Sequence, residues 1–211
     1  AGGLVTATDL VVSALNGVTL TTKVDTVAGR VSGSGAGITI DEADDILVGT
    51  SVTKNLSANN GPVKVTAGGV MTVNRVDAGP TGSVALTAGS NLLQAVVSDS
   101  AEVVAGSANL VSKGGRIDLD TNVKTLSGSA ASSTIDIDNV GTLPLTLQNV
   151  TAGNSVRINA ASVMNVTSVT STANNVTLTT VNPVGSVTPL SIFIDTLSAT
   201  KGVATVTATG D

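Results

Sequence analysis

The feature that most constrains this chain is a two-residue pattern, apolar-x-apolar, that returns at a nearly regular distance. It occurs at Val18/Leu20, Ile38/Ile40, Val63/Val65, Val84/Leu86, Ile117/Leu119, Ile135/Ile137, Val156/Ile158 and Val176/Leu178. A weaker pair, Val103/Ala105, lies in the middle of the series, and Ala204/Val206 continues it. Side chains alternate between the two faces of a strand, so such a pair marks a strand with one face turned inward. From Val18 to Val176 the steps run from 14 to 25 residues, a loose period of about 20 that matches one coil of a β-solenoid. One coil of that length cannot bury its inward Val and Leu. Coils stacked about 4.8 Å apart pair every strand with those above and below, and the inward side chains line up as apolar rows.

A longer self-similarity supports tandem duplication. "PVKVTAGGVMTVNRV" (62–76) aligns without a gap on "SVRINAASVMNVTSV" (155–169), and Met71 and Met164, the two methionines of the chain, fall in register. "GSVALTA" (82–88), "NNVTLTT" (174–180) and "NGVTLTT" (16–22) are variants of one heptad. Between the strands stand Gly, Asn, Asp and Ser, which supply positive φ or local side-chain hydrogen bonds where a chain turns.

Composition narrows the interior. Hydrophobic residues make up 41% of the 211 and mean hydropathy is +0.40, enough for a core and too much for disorder. Phe193 is the single aromatic residue. A core filled by Val, Leu, Ile, Ala and Thr methyls suits a narrow, layered interior. No segment keeps a helical period; the nearest, "DEADDILVG", is ended by Gly49. The expected fold is therefore all-β: a parallel β-helix of about ten coils of about 20 residues. It forms one domain over residues 1–211, less regular over 1–60, clearest over 61–180, with terminal coils over 181–211. The alternative is a pilin-like β-sandwich, in which "LVTATDLVV" would be a donated strand.

Several function classes drop out. There is no Cys and no His, which removes disulfides, thiolate chemistry, imidazole bases and the usual zinc sites. A net charge of −5 and a pI near 4.5 argue against nucleic acid or anionic membranes as partners. No apolar run reaches the roughly 20 residues of a membrane span, so a soluble segment without membrane insertion is expected. "AGGLVTATDL" has no signal-peptide pattern, as in a mature N-terminus or an excised piece.

Candidate sites are few. Asp41, Glu42, Asp44 and Asp45 of "DEADD" form an oxygen-rich cluster of the kind Ca²⁺ prefers; the plainer reading is a solvated, charged turn. "DLD" (118–120) and "DID" (136–138) put alternating carboxylates on outward strand faces. If those coils stack near register, like charges come close, and a cation or an Arg or Lys would relieve them; the plainer reading is outward solubilising residues that also deter edge pairing. No His, no aromatic platform and short turns leave no catalytic residue to nominate, so the chain is read as non-enzymatic and without a required cofactor.

"TLSGSAASSTIDIDN", "LPLTLQNV", "SVRINAAS" and "GSVALTAGSNL" share one cadence. Over about residues 60–180 it resembles the repeat regions of large bacterial surface proteins of the filamentous-haemagglutinin type. That resemblance implies a right-handed parallel β-helix, export, and a role as an adhesin or surface fibre at the bacterial cell surface. The chain shows no counterpart of that family's N-terminal secretion domain. Neither "AGGLVTATDLVVSAL" nor "KGVATVTATGD" reads as a polar cap, so end-to-end self-association, or contact with neighbouring segments of the same protein, is expected. A host or matrix glycan or protein surface is the expected outside partner. A pilin-like subunit and a β-helix that binds or processes polysaccharide are the alternatives.

Overall fold

The structure is a computed structural model that describes residues 3–50, 55–96, 100–181 and 191–209; the expected terminal coils, 181–211, fall partly outside these. Among the described residues there is no helix, and the strand pairings are parallel. The chain winds as a β-solenoid of about 8 turns.

Parallel pairing follows from stacking successive coils in the same direction, and it removes the sandwich alternative, whose sheets are antiparallel. The stretch expected as a donated strand, within Leu4–Ala14, instead pairs in parallel with the next coil of its own chain, from Leu4 opposite Thr21 to Ala14 opposite Val31.

Three ladders run along the axis. The first stacks Leu20, Ile40, Val65, Leu86, Leu110, Gly128, Val150, Val169 and Leu197. The second stacks Ile46, Met71, Leu92, Ile117, Ile135, Val156, Val176 and Ala204. The third begins with Val12, Gly29, Leu56, Val76 and Val103. The long strand Ile117–Ala130 crosses all three, with Ile117 opposite Leu92, Thr121 opposite Val103 and Leu126 opposite Ala108.

These registers correct the coil count. The Val103/Ala105 pair is not a coil of its own: Val84 stacks on Ala108, while Val103 lies beside Val76. The sequence series leaves the first ladder after Val84 and rejoins on the second at Ile117, so its 14-residue step crosses between ladders. The duplicated segments show the same shift. Val63 belongs to the first ladder and Val156 to the second, while Met71 sits on the second ladder and Met164 pairs with Leu145 and Ile192. The two copies are displaced by one ladder around the axis as well as along it.

The interior is aliphatic, with Ile38, Ile40, Leu56, Met71, Leu86, Leu110, Ile117 and Ile135 among its largest buried side chains. Phe193 is 60% exposed, so the sole aromatic residue plays no part in the core.

Candidate functional site on the outer face

The "DEADD" cluster is a corner, and its acids point in different directions. Alternation puts Glu42 on the same inward face as Ile38 and Ile40, opposite Thr22 of the coil before. Its carboxylate is buried and accepts four hydrogen bonds. Oε2 takes the Thr22 hydroxyl at 2.7 Å and the Val24 N–H at 3.0 Å; Oε1 takes the N–H groups of Ala43 at 2.8 Å and Asp44 at 3.4 Å. A corner interrupts the ladder and leaves backbone donors without partners, and Glu42 supplies them. Asp41 is exposed on the outer face, Asp44 makes an exposed ion pair with Lys23 at 3.6 Å, and Asp45 accepts the N–H of Val70 at 2.7 Å. The reading of the whole cluster as a solvated turn fails at Glu42, because its strand phase turns it inward. Among the described residues no group of three acids is placed to hold a metal ion.

The same device recurs at Asn139, which follows Ile135 and Ile137 in phase. Its Oδ1 accepts the Thr121 hydroxyl and the Val123 N–H, each at 3.0 Å. A second corner device joins Asp45, Asn91 and Asn175, each one residue before a second-ladder strand. Their Oδ1 atoms accept the N–H of Val70, Arg116 and Val203 in the following coil, at 2.7, 2.9 and 2.9 Å. The Asx oxygen fills the space beside the residue before that N–H: a Cβ on Gly69 or Gly115 would collide with Asp45 or Asn91.

The carboxylates of "DLD" and "DID" stack in register, Asp118 beside Asp136 and Asp120 beside Asp138. Arginines relieve them. Arg116 pairs with Asp118 at 3.2 Å, and Arg157, opposite Asp136 in the next coil, contacts Asp136 and binds both oxygens of Asp138 at 3.2 and 3.3 Å. Partial burial works against the Arg157 guanidinium, but its hydrogen bonds to Asp136 and Asp138 outweigh this and raise its pKa above the ordinary arginine value. Asn159 adds a bond to Asp138 at 2.6 Å.

Glu102 is an acid that strand phase does not mark, since it precedes the inward Val103. It is buried, and burial foremost, with the charge of Asp120 adding to it, pushes its carboxyl up to about 7 despite the hydrogen bond it accepts from the Asp120 N–H at 2.8 Å. Its only sequence signal is a lone charge against the apolar run of "AEVVA".

A cleft of about 700 Å³ lies on the outer face over the first coils, on the third ladder. Its lining includes Arg30, Asn55, Ser57, Asn59, Asn60 and Asp77, with Gly29, Ala28 and Ala58 as small floor residues and Val11, Gly79 and Pro80 beside them. Asn55 stands at the start of the strand Leu56–Ala58, and Asn59 and Asn60 follow its end. Asn60 holds φ at 58°, the only positive φ outside glycine among the described residues, and its Oδ1 accepts from the Thr81 hydroxyl at 3.0 Å. Sequence reading takes "NNG" (59–61) as a turn and leaves Arg30, Asn55 and Asp77 unassigned, because they come from three different coils.

No protein-family model, curated protein or solved structure matches the chain.

Proposed function

We propose that this chain is a non-enzymatic structural and adhesive module of a bacterial cell-surface fibre, working outside the cell and extended end to end. The observation that carries this reading is the state of the end coils. Ile194 and Val206 continue the inward rows, yet they are 40% and 41% exposed, while Val166 and Leu178 directly beside them are 2% and 0% exposed. At the other end Leu10 is half-buried against the fully buried Val27. Among the described residues each end offers an unpaired strand edge and open apolar rows, and a further coil of the same kind would cover both. The likeness of residues 60–180 to haemagglutinin-type repeats supports a place at the cell surface, and the long polar outer faces suit adhesion.

Negative-stain electron microscopy of the purified chain, dilute and concentrated, tests the extension. Uniform fibres that lengthen with concentration are expected. Isolated short rods at both concentrations would overturn self-assembly and make neighbouring segments of the same protein the partner. Release of new reducing or unsaturated ends from acidic polysaccharide would overturn the non-enzymatic reading.

A further inference from the structure

The four arginines of the chain divide by what they touch. Arg75 pairs with Asp77, Arg116 with Asp118, and Arg157 with Asp136 and Asp138. The Arg30 guanidinium alone has no hydrogen bond or ion pair among the described residues, and it stands in the cleft. Register explains why. Arg30, Ser57 and Asp77 follow one another on a single outward column of the third ladder. Two strand spacings, about 9.6 Å, separate the guanidinium-bearing residue from the carboxylate-bearing one. On the second ladder opposite charges are one coil apart and close on each other; here the small Ser57 stands between them. Asp77 is held from its other side by Arg75 at 3.6 Å and by the Gly79 N–H at 2.9 Å, so it does not turn back towards Arg30.

We propose that this cleft is a binding site for a short acidic saccharide, a uronic-acid oligomer, whose carboxylate pairs with Arg30. A cleft of about 700 Å³ falls in the range of small-ligand sites. An open guanidinium fork fits one carboxylate through two parallel hydrogen bonds. The amide of Asn55 carries donors and an acceptor, and those of Asn59 and Asn60, which already bond to Ser32, to each other and to Thr81, each keep a second N–H for a sugar hydroxyl. Asp77 accepts from a hydroxyl at the far end, and the small Ser57 lets the ligand lie close between. Asp77 on the same column disfavours a compact dianion such as phosphate at the guanidinium more than it disfavours a single carboxylate. The side-chain oxygen of Asn60 is held by the Thr81 hydroxyl, so this part of the wall is set before a ligand arrives. The assignment extends the adhesive half of the proposed function by naming a ligand class, and binding is read separately from fibre growth, so either can fail alone.

Isothermal titration with trigalacturonate, neutral trigalactose and inorganic phosphate tests the site on the native chain, R30Q, S57L and R116Q. Trigalacturonate is expected to bind the native chain and R116Q with affinities within twofold of each other. R30Q should weaken binding at least tenfold, and S57L, which fills the floor without touching the arginine, should do the same. The Arg30 guanidinium has no partner to lose among the described residues, so R30Q should melt with the native chain when no ligand is present; if it does not, S57L carries the test. No binding at millimolar trigalacturonate, equal binding by R30Q and S57L, or binding of trigalactose or phosphate as tight as that of trigalacturonate would each overturn the proposal.

Discussion

At the scale of the residue, the informative positions are the polar ones in inward phase. Thr22 follows Val18 and Leu20, Glu42 follows Ile38 and Ile40, Thr121 follows Ile117 and Leu119, and Asn139 follows Ile135 and Ile137. Each is the inward residue at which the chain leaves a ladder, where backbone N–H groups lose their strand partners. A buried acceptor there is worth more than another methyl, since an unsatisfied buried donor costs about 1–3 kcal/mol. Glu42→Ala orphans the donors of Thr22, Val24 and Ala43 and should lower stability by about 2–4 kcal/mol. Glu42→Gln, which keeps one acceptor oxygen, should recover part of that; urea midpoints of the three proteins check it. Glu102 gives the pH-sensitive counterpart. Its carboxyl titrates near 7 in the folded chain against an ordinary 4.5, so the folded state holds the proton more tightly than the unfolded one. The resulting stabilisation is full below about 4.5 and is lost as pH rises through about 7. Between pH 5 and pH 8 the native chain should lose about 1–3 kcal/mol that Glu102→Gln retains, measurable as converging urea midpoints at low pH and diverging ones at high pH.

At the scale of the element, register decides what each strand position does. Val176 is fully buried on the second ladder between Val156 and Ala204, and its neighbour Thr177 lies on the outer face in line with Arg157. The same substitution one residue apart therefore has opposite meanings. Val176→Asp buries a charge without a partner and should cost about 3–5 kcal/mol. Thr177→Asp adds a carboxylate next to a guanidinium at the surface and should change stability by less than about 1 kcal/mol. Thermal melts of the two variants at equal pH check the assignment, and equal losses would mean that this strand is one residue out of phase. The acid columns follow the same logic. In-register stacking brings Asp118 to Asp136 and Asp120 to Asp138, and it also brings Arg157 within reach of two of them.

At the scale of the whole molecule, each coil touches chiefly the coils before and after it, so stability is a chain of nearest-neighbour terms. Coils in the middle have two neighbours and the end coils one. Amide hydrogen exchange should therefore be slowest across residues 63–67, 84–88 and 135–139 and fastest across 204–209, where every side chain is exposed. Addition of another coil at the exposed end, in a fibre, should slow exchange at 204–209 first. Uniform protection along the dilute chain would mean that it unfolds as one cooperative unit rather than coil by coil.

The alternation of Val, Leu and Ile with polar residues, repeated at about 20 residues, was enough by itself to determine a strand-only fold, inward rows and a solenoid, because period-two patterning and coil length are local properties. It also placed the acids of "DLD" and "DID" on an outer face, but left open whether a cation, an Arg or Lys, or solvent alone would relieve them. What only the tertiary structure decided is which strands share a ladder. Corners of unequal length let successive segments slide around the axis, so equal spacing along the chain does not mean equal position on the cross-section. For that reason the Val103/Ala105 pair counted as an extra coil, and Met71 and Met164 match in sequence yet stand on different faces. The cleft around Arg30 escaped sequence reading by the same cause: Arg30, Ser57 and Asp77 come from separate coils, and only lateral pairing makes them neighbours.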